Sequence, residues 1–379
     1  METFAAPQGE FELSRFPLRS KETLRAWDAA DEYLLNFLME EQLITTESRV
    51  LILNDNFGAL TCALSETKPV VISDSFISFQ GILENLKRNS IEKSTVALRN
   101  SLKEYGEIDQ PYNLVILKVT KSLAQLEDQL HRIRPYIDKY TRVIAAGMVK
   151  GIHSSTLQMF ESIIGTTTTS LARKKARLIF SHLNPALIIP ENSYPRSYTL
   201  ENTHYEILNH ANVFSREKLD IGTRFLIENL PVSDRYQQII DLGCGNGIVG
   251  LMTASVNPNA SVSFIDESYM AVASAKANFT TAFPHRQANF TVTDCLKGIA
   301  ADSCDLILNN PPFHQQNAIG DFIAVQMFKE SFAALKKGGE LWVIGNRHLG
   351  YHIKLKRLFG NCSTVASNKK FVILKMIKK

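Results

Sequence analysis

The sequence of 379 residues predicts an α/β protein with two tandem domains of one fold, each built on a mostly parallel sheet. Apolar runs of strand length alternate with longer segments of helical spacing, which is typical of a parallel sheet with helices on both faces. Similar runs recur in the same order in both halves, which indicates a duplication. Near the carboxyl terminus, runs at residues 363–366 and 371–376 flank a short polar turn and predict a hairpin that reverses the last strand.

The composition is that of a soluble protein, with 45% hydrophobic and 21% charged residues and a length sufficient for two or three domains. The polar, acidic amino terminus does not resemble a signal peptide, and no apolar run reaches membrane-spanning length, so we expect a cytoplasmic protein. The five cysteines are scattered without paired spacing, and the histidines show no ligand spacing. We therefore expect free thiols in a reducing compartment and no bound metal.

The first half opens with a helical pattern over residues 21–42, followed by a strand at 49–53. The loop after this strand keeps one glycine, Gly58, and the strand has no acid at its end. Further strands are predicted at 70–73 and 113–119. This half has the strands expected of the repeated fold and lacks a glycine-rich loop.

The spacing between strands supports the duplication. Asp74 and Lys118 are 44 residues apart (118 − 74), and so are Asp266 and Asn310 (310 − 266). We therefore match Asp74 with Asp266 and Lys118 with Asn310, and we predict that the first copy has lost its cofactor loop. Chance similarity between α/β repeats is the alternative.

A segment of mixed polarity separates the two copies. It runs from Asn184 to about Tyr198 and contains Pro190 and Pro195, which is typical of a linker. We predict a degenerate domain at residues 1–185, a linker at 186–205 and a catalytic domain at 206–379.

The second half carries a glycine cluster after its first strand. The apolar run 239–241 ends in Asp241, and a helix is predicted to open near Ile248. The glycines between and just beyond are Gly243, Gly245, Gly247 and Gly250. Glycine permits positive φ and close approach of a ligand to the backbone. The glycines alone leave open a nicotinamide enzyme, an S-adenosylmethionine (SAM) enzyme or a structural turn.

Two further acids favour the SAM enzyme. Asp266 ends the second strand-like run, 25 residues after Asp241 (266 − 241), where an acid is expected on ribose hydroxyls. Asp294 follows a third short strand at 290–292, where a carboxylate could face an adenine amine. An acid at the end of the first strand also suits the amino group and the positive sulfonium of SAM.

The strongest single signal is Asn310-Pro311-Pro312-Phe313, which follows the apolar run 306–308. The Asn310 side-chain oxygen and the Pro311 carbonyl can accept both N–H bonds of an exocyclic amine, and proline has a fixed φ that holds them still. Phe313 can stack on an extruded base. The alternative is a Pro-Pro turn with a core phenylalanine. Together with the acids and glycines, the tetrapeptide resembles class I SAM-dependent methyltransferases that modify exocyclic amines.

Almost the whole chain resembles one family, the bacterial ribosomal RNA guanine-N2 methyltransferases, which have a degenerate amino-terminal copy and an active carboxy-terminal one. The motifs are FSREKLDIGT at 214–223, DLGCGNGIVG at 241–250 and NPPFHQQ at 310–316. The likeness is greatest to the large-subunit enzymes of 23S rRNA, with the small-subunit 16S enzymes as the near alternative. Methylation of DNA adenine or protein glutamine, and a non-catalytic RNA-binding scaffold, are the other classes left open.

The resemblance implies SAM as methyl donor, a specific guanosine N2 of rRNA as acceptor, and a monomeric enzyme. It also implies that the segment with Phe214 and Ser215 covers the methionine end of SAM, although buried packing would equally explain these residues.

The net charge of +4 is unevenly distributed. Residues 351–379 contain eight Lys and Arg and no acid. A second cluster consists of Arg173, Lys174, Lys175 and Arg177. A solvated face is the ordinary explanation, but beside a base-modifying site both clusters favour a polyanionic partner. We predict that the second cluster binds RNA.

Overall fold

The computed structural model describes the backbone of residues 2–19, 22–312 and 318–379, and their side chains apart from residues 318–321. The chain divides into two compact units, Met1–Tyr194 and Pro195–Lys379. Each unit contains a seven-stranded sheet. Residues 196–199, inside the predicted linker, form a strand of a separate two-stranded hairpin in the second unit.

The elements of the first unit are β1 (Glu2–Ala6), β2 (Gly9–Leu13), α1 (Ala29–Glu40), β3 (Val50–Leu53), α2 (Ala59–Ala63), β4 (Val70–Ser73), α3 (Phe76–Arg88), β5 (Ala97–Asn100), β6 (Leu114–Lys118), α4 (Leu123–Ile133), β7 (Arg142–Met148), α5 (Ser154–Ile163), β8 (Thr167–Thr169) and β9 (Ala176–Ser181). Its sheet has the order β5-β4-β3-β6-β7-β9-β8.

The elements of the second unit are β10 (Arg196–Thr199), β11 (Glu206–Asn209), α6 (Ile221–Ile227), β12 (Gln238–Leu242), α7 (Ile248–Val256), β13 (Ser261–Asp266), α8 (Tyr269–Ala282), β14 (Asn289–Val292), β15 (Cys304–Asn309), α9 (Ala318–Ala334), β16 (Leu335–Asn346), α10 (Tyr351–Phe359), β17 (Ser363–Ser367) and β18 (Phe371–Ile377). Its sheet has the order β14-β13-β12-β15-β16-β18-β17.

The two sheets have the same topology. Six of the seven strands in each sheet run in the same direction, and the penultimate strand in the spatial order, β9 or β18, runs antiparallel to its neighbours on both sides. The predicted α/β class, the duplication and the reversed last strand are therefore confirmed.

Both faces of the second sheet are covered, which explains why its strands are almost continuously apolar. Ile240 and Leu242 point into one hydrophobic cluster with the α9 and α10 side. Ile239, which precedes Ile240 in β12, lies in the opposite cluster with α7 and α8. Alternate residues of a strand face opposite sides of a sheet, so a strand buried on both faces must be apolar at every position.

Two details differ from the prediction. The first helix begins at Ala29 and not near residue 21, because the Asp28 side chain accepts from the backbone N–H groups of Ala30 and Asp31 and starts the helix there. The match of Asp74 with Asp266 is wrong by one residue. Leu53 pairs with Ile72 as Leu242 pairs with Ile265, so Ser73 is the counterpart of Asp266.

Candidate active site

The carboxyl ends of β12, β13 and β15 meet at one edge of the second sheet, which is where open α/β sheets bind ligands. The loop between β12 and α7 lies at this edge. Gly243, Gly245 and Gly247 all have positive φ, at 72°, 54° and 80°. A Cβ added at Gly245 would meet no atom within 4 Å, so this side of the loop faces open space.

Gly247 and Gly250 differ from Gly245 because both pack closely against other elements. A Cβ at Gly247 would lie 2.7 Å from the Cβ of Ala275 in α8. Gly250 is packed as closely. A Cβ at this position would overlap the Phe264 ring of β13 and lie 3.0 Å from Asp241 Oδ2. Gly250 therefore allows α7 to pack closely on the sheet, and it does not line the open space.

Asp241 is buried beneath the amino end of α7. Its Oδ2 accepts from the Gly250 backbone N–H at 2.7 Å. Burial raises the pKa of Asp241 to about 7, and the charge of Asp266 adds to the increase while the Gly250 hydrogen bond opposes it. The carboxylate thus holds the helix end.

Asp266 ties the end of β13 to the glycine loop. Its Oδ2 accepts from the Gly245 backbone N–H and its Oδ1 from that of Ser268, both at 3.0 Å. Burial raises its pKa, whereas these backbone hydrogen bonds act in the opposite direction. A carboxylate has about four acceptor positions, so Asp266 keeps capacity for ligand hydroxyls.

The other predicted cofactor residues are Asp294, Phe214 and Ser215. Asp294 is buried and its Oδ1 accepts from Gln326 Nε2 of α9 at 3.2 Å. Phe214 is 63% exposed, and Ser215 has a positive φ of 54°. Among the described residues, no hydrogen bond links Phe214 or Ser215 to Asp241, Asp266 or Asn310.

The end of β15 presents two asparagines. Asn309 is buried and donates from Nδ2 to the Leu242 carbonyl at 2.9 Å, which joins β15 to β12. Asn310 donates from Nδ2 to Thr223 Oγ1 at 3.1 Å. The Asn310 Oδ1 atom is buried and has no hydrogen-bond partner within the described part of the chain. Pro311 is buried and Pro312 exposed, while Phe313 lies outside the described residues.

Sequence reasoning missed two residues beside Asn310. Asp220 caps α6, and its Oδ2 accepts from the Thr223 backbone N–H at 2.9 Å and from Thr223 Oγ1 at 3.4 Å. The pattern Asp-x-x-Thr before an apolar helix is a capping signal that could have placed the helix start. It could not have shown that Thr223 meets Asn310, which is 87 residues away.

A network of asparagines holds the glycine loop between β12 and α7. No sequence pattern predicted this network. Asn246 Nδ2 donates to Asn209 Oδ1 at 2.9 Å, and Asn278 Nδ2 donates to the Asn246 carbonyl at 2.9 Å. The loop backbone is therefore held by β11 and α8.

The predicted RNA-binding cluster lies at the tip of the β8–β9 hairpin in the first unit. Arg173 forms an ion pair with Glu40 at 3.3 Å, and Lys174 with Glu32 at 2.9 Å, both acids belonging to α1. Half of the cluster's positive charge is therefore neutralised within the unit.

Within the described ranges, no group of three or more His, Cys, Asp or Glu is placed to hold a metal ion. In that same part of the chain, no helix has the length and apolar character needed to cross a membrane.

The site fits SAM. Open space lies against the Gly245 backbone, the Asp266 carboxylate borders the loop, and an unpartnered amide oxygen lies at the neighbouring strand end. This edge, on a sheet whose last strand is reversed, defines an S-adenosylmethionine-dependent class I methyltransferase.

Comparison with known proteins identifies the family. Residues 1–185 match the family model described as RLMG N-terminal domain, and residues 204–375 match that of the methyltransferase small domain. The chain is 51% identical over 371 residues to ribosomal RNA large subunit methyltransferase G of Aeromonas salmonicida, with 97% of each protein covered. It is 50% identical over 372 residues to the protein of that name from Klebsiella pneumoniae, with 97% and 96% covered. The chain belongs to the ribosomal RNA large subunit methyltransferase G family.

A solved structure supports the fold over the full length. The T. thermophilus 16S rRNA N2 methyltransferase, in complex with AdoMet and guanosine, superposes with a TM-score of 0.75 and covers 100% of this chain and 98% of its own. At 20% identity, this similarity establishes the two-unit fold only.

Proposed function

We propose that the protein transfers a methyl group from SAM to the exocyclic N2 amine of a specific guanosine in 23S rRNA. The observation that carries the proposal is the buried, unpartnered Asn310 Oδ1 next to the glycine loop. The large-subunit names of relatives about half identical to this chain support 23S rRNA over 16S rRNA as the substrate. We expect the enzyme to act as a cytoplasmic monomer.

The proposed cofactor contacts follow from the geometry of the edge. Asp266 would accept from ribose hydroxyls, and the backbone of Gly243, Gly245 and Gly247 would allow close approach. The remaining proposed contacts, at the adenine and methionine ends, are Asp294, Phe214, Ser215 and Asp241. When bound, SAM supplies an electrophilic methyl group on a positively charged sulfur.

The chain's own contribution to the reaction is positioning. The N2 lone pair of guanine is shared with the ring, which makes the amine a poor nucleophile. Asn310 Oδ1 and the Pro311 carbonyl would accept its two N–H bonds and aim the lone pair at the methyl donor. Pro311 and Pro312 restrict the turn that holds these acceptors. Phe313 would stack on the extruded base. Orientation and fixed dipoles can supply such catalysis without a strong base.

The first unit is proposed to engage rRNA and not SAM. We assign it residues 1–185, with residues 206–379 as the catalytic domain. Its β3–α2 loop has Gly58 as the sole counterpart of the loop glycines. Arg173, Lys174, Lys175 and Arg177 are the proposed phosphate contacts, and the ion pairs to Glu32 and Glu40 limit what the first two can contribute.

Transfer of tritium from labelled SAM to rRNA tests the function. Total rRNA from a strain lacking the native enzyme should accept label in the 23S molecule alone, and mapping should place it as N2-methylguanosine. Label in 16S rRNA, or on adenine, would refute the proposal. Asn310→Ala serves as the control for transfer at this site.

A further inference from the structure

The Thr223 hydroxyl lies between a carboxylate and the Asn310 amide. Thr223 Oγ1 is 3.4 Å from Asp220 Oδ2 and 3.1 Å from Asn310 Nδ2. A carboxylate can only accept hydrogen bonds, so the hydroxyl proton is directed to Asp220. The hydroxyl oxygen is then left to accept, and only the NH₂ end of the Asn310 amide can face it.

This polarity determines what Asn310 presents on its other side. With Nδ2 bound to Thr223, Oδ1 must point away, and it is the atom that is buried without a partner in the described residues. A rotated amide would direct N–H groups towards an incoming amine, which is itself a donor and would find no acceptor. The orientation of the amide therefore decides whether the site can hold the nucleophile.

The first unit also brings a helix start and a strand end together, but with different side chains. Asp28 caps α1, Asp31 lies three residues later, and Lys118 ends β6. All three precede Asp220, Thr223 and Asn310 by the same number of residues, 192 (220 − 28, 223 − 31, 310 − 118). Lys118 Nζ lies 2.8 Å from Asp28 Oδ1 and 2.6 Å from Asp31 Oδ1. The fold brings this helix start and this strand end together in both units, but only Thr with Asn leaves an acceptor free.

We propose that Thr223 is a positioning residue, which locks the Asn310 amide with Oδ1 facing the target amine. The inference rests on the proposed function, because it assigns Asn310 to amine binding. Asp220 fixes the direction of the Thr223 hydroxyl in the same chain of hydrogen bonds.

Two substitutions at Thr223 separate positioning from packing. Thr223→Val keeps the shape and removes the acceptor, and it should lower kcat by about 10- to 100-fold, as loss of a residue that orients an active group does. The calorimetric affinity for SAM should stay within about twofold because SAM loses no contact. The KM for rRNA should also stay within about twofold, because phosphate contacts away from the target amine supply most of the affinity. Thr223→Ser restores the hydroxyl and should recover kcat to within about threefold of the unaltered enzyme.

Several results would overturn the proposal. These are an unchanged kcat in Thr223→Val, a loss of SAM affinity as large as the loss of kcat, and failure of Thr223→Ser to recover kcat although its thermal unfolding is normal. The proposed function fails separately, if the unaltered enzyme labels a group other than guanine N2 in 23S rRNA.

A second inference concerns a basic surface at the same edge of the catalytic sheet. It consists of Arg347, Lys369 and Lys370, all exposed. The β17–β18 turn carries the two lysines, and the Arg347 backbone N–H donates to the Lys370 carbonyl at 3.0 Å. No ion pair found among the described residues involves any of the three.

The basic surface is connected to Asn310 by packing. The Phe371 ring lies so close to α6 that a Cβ added at Gly222 would be 3.1 Å from it. Gly222 directly precedes Thr223, which bonds to Asn310. Phosphates next to an extruded base would therefore lie within reach of this turn.

In the corresponding hairpin of the first unit, two of the four basic residues are neutralised by ion pairs. Phe371 pairs with Asn346 as Ala176 pairs with Met148, so the two tips occupy equivalent positions. Arg173 and Lys174 at the first tip are paired with Glu40 and Glu32. We infer that Arg347, Lys369 and Lys370 bind the rRNA backbone beside the target nucleotide, which also rests on the proposed function.

Charge reversal with a matched control tests this surface. The double variant Lys369→Glu with Lys370→Glu should make the negative slope of log affinity against log salt shallower by roughly 1.5. Each lost phosphate contact removes about 0.7–0.9 from the magnitude of this slope. The KM for rRNA should rise at least about tenfold at 0.15 M salt, with SAM affinity unchanged. The control is Lys337→Glu with Lys379→Glu, which changes the same charge at the opposite end of the β16–β18 pair.

The control should leave the salt slope within about 0.5 of the unaltered enzyme, because long-range charge effects are screened beyond about 8 Å. Equal losses in both double variants would mean that net charge alone acts, and an unchanged slope in the Lys369/Lys370 variant would exclude phosphate contact. Transfer to 23S guanine by the unaltered enzyme again distinguishes failure of the surface from failure of the function.

Discussion

The two units share one strand order and differ at the edge where the carboxyl ends of the strands meet. In the second unit, open space borders Gly245, and Asn310 has a buried acceptor without a partner among the described residues. In the first unit, Lys118 stands at the Asn310 position and is paired with two acids of α1. One fold therefore keeps a ligand site in one unit and fills it with an ion-pair network in the other.

The loops after the first strand show the same contrast. Asn54 donates from Nδ2 to the Lys118 carbonyl at 3.1 Å and to Gln129 Oε1 at 2.9 Å. Phe57 packs against α3 so closely that a Cβ at Gly81 would lie 2.8 Å from its ring. The first loop therefore packs its side chains against the rest of its unit, whereas the glycine loop of the second unit has open space beside Gly245.

Both units contain a buried acid that accepts a backbone hydrogen bond from the following helix, although the two acids occupy different positions. Asp241 accepts from the backbone of Gly250 at 2.7 Å, and Asp55 accepts from that of Thr61 at 2.7 Å. Each acid holds the first turn of the helix after its loop, α7 or α2. An acid that persists in the degenerate unit serves the fold, so we expect Asp241 to stabilise the loop more than it contacts SAM.

The largest expected effect is on the stability of the first unit. Lys118→Ala should lower its free energy of unfolding by about 3–5 kcal/mol, because it leaves the buried Asp31 and its neighbour Asp28 without a cation. In a Trp342→Phe background, Trp27 alone reports this unit in urea titrations followed by fluorescence. Methyl transfer at low temperature should persist. If Lys118→Ala unfolded normally but lost methyl transfer, Lys118 would have a direct role in the reaction.

Asn310→Ala, at the equivalent position, should affect the reaction and not the fold. We expect kcat to fall on the order of 100-fold, as it does when a positioned transition-state partner is removed. SAM affinity by calorimetry should change less than about twofold. If Asn310→Ala kept its turnover, another group would hold the amine. Asn310 would then have no catalytic role to set against the structural role of Lys118.

Much of this contrast could be predicted from sequence, and part could not. Continuous apolar runs identified the buried strands, and the Asn310 tetrapeptide with its glycine loop predicted the sheet edge at which we propose the site. The match of Asp74 with Asp266 was wrong because loop lengths differ by one residue between the copies, which only strand register reveals. The ties of Lys118 to Asp31 and of Asn310 to Thr223 join residues 87 positions apart, and no local pattern reports such contacts.

The next prediction compares the residues at the end of the second strand in each sheet, Asp266 and Ser73. Asp266→Ala should weaken SAM binding by about 1.5–3 kcal/mol for each charge-assisted hydrogen bond lost. Ser73→Ala, at the equivalent position of the first unit, should have no effect on SAM binding. Calorimetry of the unaltered chain should give one site. Two SAM sites per chain would show that the first unit also binds SAM. Normal SAM affinity in Asp266→Ala would show that Asp266 does not contact the cofactor.

The buried Asp241 gives a prediction about pH. Its pKa of about 7 in the folded state exceeds the ordinary value of 3.8, so the folded state holds a proton that the unfolded state releases. The contribution of Asp241 to stability should therefore decrease as pH rises from about 4 to 7. Asp241→Asn keeps an acceptor for Gly250 and should gain stability on the order of 2 kcal/mol over the unaltered protein at pH 8, with little difference at pH 4. Urea unfolding without SAM measures this, and parallel curves at both pH values would contradict it.

The smallest expected effect concerns the basic tip of the first unit. Arg173 and Lys174 are exposed and already paired, so replacing both by alanine should cost less than about 1 kcal/mol of stability. It should also lower the salt slope of rRNA binding by less than about 1, because cations engaged with Glu40 and Glu32 release few counterions. Glu32→Gln with Glu40→Gln frees both cations and should steepen the slope, if this tip contacts phosphate. Filter binding from 0.05 to 0.3 M salt compares the two double variants. If neither double variant changed the salt slope, phosphate binding would be restricted to the second unit. The first unit would then have a structural role only.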